Sequence, residues 1–128
     1  MGDRGNIVVK VDDGDIYLYS HCTGSELPII LQNALKKFPG RWEDPSYMAR
    51  IIFCEMIKDC VGGETGYGIS VSISDNEHNI LLVNVFDQSI SEIDENSVGN
   101  TLGNKYKVIK TWSFKEYIAL TPETLPKI

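Results

Sequence analysis

Histidine, cysteine and basic residues are scarce in this sequence, and it has no long apolar run. With 12 lysines and arginines against 18 aspartates and glutamates, the 128-residue chain carries a net charge of −6. A general nucleic-acid binder needs a basic surface that displaces counterions, so this composition argues against that class. No apolar run approaches the roughly 20 residues of a membrane span, and residues 1–5 contain no apolar signal region. We therefore expect a cytoplasmic, acidic protein that does not enter a membrane.

The three cysteines are Cys22, Cys54 and Cys60, an odd number without the C-x-x-C spacing of a metal site. They are predicted to be reduced thiols. No other pattern indicates a cofactor or a metal. Asp75, Glu77 and His78 lie among asparagines and are interpreted as a solvated turn rather than a metal site.

Two helical patterns dominate the first half of the chain. Ser25 can cap a helix over residues 26–38, where apolar residues recur on one side and two lysines occupy the last turn. Asp44 and Pro45 suit the start of a second helix, over residues 44–60, which Gly62–Gly63 would stop. The outer side of this second helix mixes apolar and charged residues, so we expect another helix or a partner chain to cover it.

Period-two alternation and β-branched residues predict the strands. They cover residues 6–11, 16–22, 67–74, 80–86 and 105–112, with the nearly all-apolar 80–86 as a central strand. The first two should form a hairpin through the Asp-Gly turn. Residues 94–104 are polar and rich in glycine and asparagine, which predicts a mobile loop or a wide hairpin.

The C-terminal region contains a capping box, Ser113 with Glu116, which starts a short helix through about residue 120. The predicted fold is therefore α+β, in the order ββααβββα. An antiparallel sheet of about five strands would carry an antiparallel helix pair on one face. Residues 1–120 would form a single domain, and residues 121–128 an extended or disordered tail. The other face of the sheet would be solvated or would contact a partner.

Five residues are candidates for ligand or partner binding. They are His21, Ser25, Arg41, Trp42 and Tyr67. His21 and Ser25 flank a strand end before a helix start, where free N–H groups can hold an anion. Arg41–Trp42 lies in the loop between the helices, and these residue types are common in interface hot spots. An alternative role for Trp42 is to plug the end of the helix pair.

Four stretches carry a resemblance to known proteins. They read IYLYSH from Ile16, GSELP from Gly24, ARIIFCEM from Ala49 and TGYGIS from Thr65. In them the chain resembles a group of short proteins from bacteriophages, prophages and bacteria that carry no assigned activity. The resemblance implies an accessory protein of a mobile element, of a kind that often binds and blocks host systems. It assigns no functional residue.

A weaker likeness, at the level of the fold, is to proteasome-type N-terminal nucleophile hydrolases. Those enzymes need Thr, Ser or Cys at the processed N-terminus. Removal of Met1 would here expose Gly2, so the nucleophile of that family is missing.

The resemblance implies a phage-type accessory protein. Together with the acidic charge, the mixed outer side of the second helix and the missing catalytic set, it leads us to expect a non-enzymatic binding protein with a homo-oligomeric state. It would act as an inhibitor of host defence by binding a host protein or a small nucleotide-like signal, without sequence-specific nucleic-acid binding. Two alternatives remain. One is a small hydrolase that uses His21 with Ser25 or Cys22; the other is an acidic decoy that mimics nucleic acid.

Overall fold

The computed structural model describes residues 2–128, which form one six-stranded sheet and three α-helices. The strands are β1 (Gly5–Val11), β2 (Gly14–Ser20), β3 (Tyr67–Ser70), β4 (Ile80–Asn84), β5 (Ser89–Ile93) and β6 (Val108–Ser113). The helices are α1 (Leu27–Lys37), α2 (Pro45–Ile57) and α3 (Phe114–Ile118). The strand order across the sheet is β3-β2-β1-β4-β5-β6. No helix within residues 2–128 has the length and apolar character needed to cross a bilayer.

The α+β class is confirmed, but the prediction of an antiparallel sheet is wrong at its centre. Strands β1 and β4 run parallel, with Ile7 opposite Leu81 and Val9 opposite Val83. The sequence suggested that residues 67–74 and 80–86 were joined by a tight turn. Instead, residues 71–79 cross from the edge strand β3 past β2 and β1, because β4 lies beyond those two strands and runs parallel to β3, which a hairpin cannot achieve.

Strand β3 ends at Ser70, four residues earlier than the alternating pattern predicted. The Ser70 hydroxyl accepts a hydrogen bond from the backbone N–H of Ser72 at 3.1 Å. Serine side chains that bond to nearby backbone compete in this way with the ladder of a sheet. The chain is thereby released from the sheet edge and begins its crossover.

Both faces of the sheet are packed, each by a different kind of structure. Along β1, Ile7 and Val9 point towards the helices, whereas Val8 points to the opposite face, as the alternation of a strand requires. On the opposite face, Leu102 is buried, and its backbone N–H donates to the Tyr17 hydroxyl at 2.8 Å. The centre of this face is thus covered by the chain's own loops, whereas we expected it to be solvated or to contact a partner.

The crossover is held by the side chain of Asn6, which is fully buried in β1. Its amide nitrogen donates to Asn76 Oδ1 at 3.1 Å and, at 3.4 Å each, to the carbonyl oxygens of Ser74 and Asp75. Its amide oxygen accepts the Ser74 N–H at 3.3 Å. One side chain therefore supplies the partners that the irregular backbone over a buried strand would otherwise lack.

The short C-terminal helix is confirmed, together with its capping box. The Ser113 hydroxyl accepts the Glu116 N–H at 3.0 Å, and Glu116 accepts the Ser113 N–H at 2.7 Å. Trp112 and Tyr117 meet edge to face, with ring centroids 5.6 Å apart. Residues 121–128 contain a turn and no helix or strand, and Leu125 within them packs into the helix-side core.

Because Asn6 satisfies several backbone groups of the crossover, its truncation should destabilise the protein. We expect Asn6→Ala to lower the free energy of unfolding by about 1–3 kcal/mol, the usual cost of leaving a buried polar group unpaired. Asn104→Ala is the matched control, since Asn104 is exposed and should change stability by less than about 0.5 kcal/mol. Urea denaturation measures both. Equal effects of the two variants would contradict the assigned role of Asn6.

Candidate functional site

A cleft of about 630 Å³ lies between the end of α1 and the outer side of α2. It is lined by Lys37, Phe38, Arg41, Arg50, Ile51, Cys54, Glu55, Lys58 and Val61. Residues 50, 54 and 58 are four apart, so they follow one another along a single side of the helix and its end. The mixed outer side of α2 is therefore only partly covered. Ile51 and Glu55 are buried, whereas Arg50, Cys54 and Lys58 are exposed and form one wall of this cleft.

At the base of the cleft, the Glu55 carboxylate is buried, with 4% of the residue exposed. Lys37 Nζ lies 2.6 Å from its Oε1, and Lys58 Nζ lies 2.9 Å from its Oε2. The Lys58 contact is a hydrogen bond, whereas the Lys37 contact is a close ion pair without the direction of one. Burial alone would raise the pKa of Glu55, but the two ammonium groups outweigh it and hold that pKa below its usual value. Glu55 therefore remains a carboxylate that ties the two helices together.

The two arginines of the cleft differ in how far they are engaged. Arg41 lies over the Tyr47 ring, 5.2 Å from its centroid, and its Nη1 is 3.3 Å from the Asp44 carboxylate. Arg50 is exposed, and no carboxylate of residues 2–128 lies within 4.0 Å of it. Its guanidinium is consequently available to an outside anion.

The lining charges set this cleft apart from the rest of the chain. Four cations and one carboxylate give it a charge of +3, so the remaining residues of this −6 chain carry −9. Two apolar side chains at the cleft are also exposed: Phe38 by 54% and Val61 by 73%. The cleft thus combines anion-binding groups with apolar surface for a ring or an alkyl group.

Of the residues predicted in the loop between the helices, Arg41 is at the cleft and Trp42 is in the core. Trp42 is 8% exposed. Its indole N–H donates to the Leu35 carbonyl at 2.9 Å, and its ring meets Phe114 edge to face at 5.4 Å. This placement corresponds to the alternative role, in which the tryptophan packs the end of the helix pair.

The other predicted residues lie away from this cleft, around the end of β2. The backbone N–H of His21 donates to the Gly66 carbonyl at 2.8 Å, next to the half-buried Tyr67. His21 Nδ1 is 3.0 Å from the Tyr19 hydroxyl. Cys22 follows His21 and is exposed.

Ser25 belongs to a cluster that the sequence did not reveal, with Asp3 at its centre. Both oxygens of Asp3 accept the Ser25 N–H, at 3.1 and 3.0 Å, and Oδ2 also accepts the Ser25 hydroxyl. His78 Nε2 lies 2.5 Å from Asp3 Oδ1. The expectation that Ser25 caps the helix is wrong: the α1 N-cap is Glu26, and Asp3 binds the turn from outside.

The order of groups in this cluster does not resemble a nucleophile with its base. A carboxylate lies between the Ser25 hydroxyl and the His78 imidazole, whereas a nucleophilic serine needs a basic nitrogen at its hydroxyl. The Ser25 hydrogen bonds, ahead of the smaller contribution of His78, hold the pKa of Asp3 below its usual value despite partial burial. Asp3 is therefore a weak base. Residues 2–128 contain no group of three or more His, Cys, Asp or Glu side chains placed to hold a metal ion.

Comparison of this chain with protein-family models, with curated proteins and with solved structures found no match. The function is accordingly argued from the geometry of the chain itself.

The Asp3–His78 pair predicts a pH dependence of stability. Burial lowers the pKa of His78, but Asp3 and the Ile128 main chain outweigh it and raise that pKa above the usual value of about 6.5. Stability from a raised histidine pKa is complete below the unfolded pKa and is lost as the pH rises through the folded one. We therefore expect His78→Gln to lower the melting temperature more at pH 5.5 than at pH 8.5.

The contribution of Asp3 has the opposite sign, because stability from a lowered carboxylate pKa is lost only as the pH falls through the folded value. It should thus be intact at both pH values of the comparison. In an Asp3→Asn background, the pH dependence of the His78→Gln effect should shrink. Thermal unfolding of the four proteins measures this, and an unchanged pH dependence in that background would argue against the pair.

Proposed function

We propose that this chain is a non-enzymatic binding protein that holds a small nucleotide-like anion in the cleft between α1 and α2. The observation that carries the proposal is the convergence of Lys37, Arg41, Arg50 and Lys58 in an otherwise acidic chain. Like charges gathered in one concave place repel one another, and an anionic ligand would relieve that repulsion.

Each part of the cleft has a role in this proposal. The unpaired guanidinium of Arg50 would bind phosphate oxygens through two parallel hydrogen bonds, as the shape of the group favours. Lys37 and Lys58, each partly neutralised by Glu55, would contribute point charges. The exposed ring of Phe38 offers a surface on which a base can stack. A volume of about 630 Å³ is within the usual range for small-molecule sites.

The proposed role of this binding is to withdraw a nucleotide-like signal from a host defence system. The resemblance to short phage and prophage proteins supports this role, which requires affinity and no turnover. A binding protein releases its ligand unchanged in mass. The hydrolase alternative predicts instead that the ligand is recovered as cleaved products. Incubation with a nucleotide panel followed by mass spectrometry distinguishes the two.

Removal of Arg50 should weaken binding strongly. A hydrogen bond to a charged group contributes about 1.5–3 kcal/mol, so we expect Arg50→Ala to raise the Kd by about tenfold or more. Lys36→Ala is the matched control, because this substitution also removes one positive charge. Lys36 is exposed on α1 and does not line the cleft. Calorimetry against inorganic phosphate and mono-, di- and cyclic nucleotides measures both. Equal losses of affinity in the two variants would show that only the net charge of the protein matters, and would overturn the proposal.

Replacement of Glu55 should have the opposite effect on affinity. Glu55→Gln keeps the shape of the side chain but frees both lysines for the ligand, so the same nucleotides should bind more tightly than to the wild type. Stability should fall, because a buried pair that loses one charge is costly. Circular dichroism checks folding before the titration. Weaker binding by a folded Glu55→Gln protein would show that Glu55, rather than the cations, contacts the ligand.

A further inference from the structure

The outer edge of β6 has no strand partner within residues 2–128, since β6 is last in the sheet and pairs only with β5. Four successive residues of this strand, Val108 to Thr111, are exposed. Two of them are apolar: Val108 and Ile109. An edge of this kind presents backbone N–H and C=O groups that can pair with another chain.

The direction of the backbone groups along β6 follows from one hydrogen bond at its end. The Phe114 N–H donates to the Gln88 carbonyl of the β5 side at 2.8 Å. Because successive residues of a strand face opposite neighbours, Trp112 and Lys110 also direct their backbone groups to β5. The N–H and C=O of Thr111 therefore point away from the sheet. Ser113 offers no free N–H, because Glu116 accepts it.

Four lysines lie in β6 or within three residues of its ends. Lys105, Lys107, Lys110 and Lys115 are all exposed, and none has a carboxylate within 4.0 Å in residues 2–128. The Lys110 ammonium lies over the Trp112 ring, 5.4 Å from its centroid, which keeps this charge beside the strand. The other sheet edge, β3, is only four residues long and contains no lysine.

Lysines on an edge strand commonly guard it against association. This protection is selective. The lysines disfavour a neutral or basic strand and another copy of the same edge, but they attract a strand of opposite charge. Two copies paired through β6 would bring eight unpaired lysines together, which is unfavourable. An acidic strand would instead neutralise the lysines and cover Val108 and Ile109.

We propose that the outer edge of β6 binds an extended acidic segment of a partner protein, which adds to the sheet as a seventh strand. This recognition would use backbone hydrogen bonds at Thr111 and charge pairs with Lys107 and Lys110. It is independent of the cleft between α1 and α2, so either site can fail its test without affecting the other.

The probe is a capped octapeptide of alternating glutamate and valine, titrated into the ¹⁵N-labelled full chain. We expect shifts of the β6 amides and at least about tenfold slower hydrogen exchange at Thr111. The same peptide with lysine in place of glutamate should not bind. A version N-methylated at two consecutive central residues, which cannot pair through either edge, should also fail to bind. Binding of the N-methylated peptide, or shifts confined to the α1–α2 cleft, would overturn the proposal.

The matched protein variants reverse two charges each. Lys107→Glu with Lys110→Glu should weaken peptide binding by about tenfold or more, whereas Lys36→Glu with Lys127→Glu, also exposed, should have a much smaller effect. Similar losses in both variants would show a general attraction between charges and overturn the proposal. Sedimentation of the chain alone tests whether a second copy of the chain occupies this edge. A dimer that pairs through β6 would also overturn the proposal.

Discussion

The parallel pairing of β1 with β4 is the constraint on which the rest of this fold depends. It places β1 at the centre of the sheet and forces residues 71–79 across one face. Backbone that crosses a buried strand must find hydrogen-bond partners, and the buried side chain of Asn6 provides them. With the crossover and residues 94–107 on one face, the helix pair packs on the other. Part of the outer side of α2 is then left open, and the cleft forms there.

Within that cleft, Glu55 explains how four cations can share one small volume. A buried carboxylate is costly to desolvate, and its attraction to Lys37 and Lys58 offsets that cost only while both contacts persist. The same contacts neutralise part of the charge of both lysines. The carboxylate that stabilises the helix pair therefore also limits how strongly the cleft attracts the proposed anion.

The features that were predicted correctly from the sequence are those that depend on local interactions. The capping box at Ser113 was readable because its partner is three residues away, and the central strand β4 because its residues are almost all apolar. The centre of the sheet was not readable, because the alternation of β3 is the same for a hairpin and for a crossover. At the Asp3 cluster, His78 is 75 residues from Asp3, and Asp3 displaces the local cap expected at Ser25. Such a pairing has no signal in residue spacing.

The candidate sites show the same division. Arg41 was predicted from its residue type and lies at the cleft, while Trp42, chosen for the same reason, is largely buried in the core. Residue type indicates that a side chain can bind, but only the path of the chain decides where it points. Arg50, Glu55 and Lys58 lie on a helix whose mixed outer side was noticed. That mixture was the available signal for the cleft, and it was interpreted as a covered interface.

The distribution of charge reconciles an acidic protein with the proposed anionic ligand. Eight of the 12 basic residues lie at the cleft or beside β6, so most of the remaining surface is strongly acidic. At physiological ionic strength a charge is screened beyond about 8 Å, so a small ligand inside the cleft experiences mainly the +3 of the lining residues and the −1 of Asp44, which pairs with Arg41. A polynucleotide is much longer than this distance and would also meet the surrounding acidic surface, which repels it. The same charge pattern therefore favours a small anion and disfavours nucleic acid.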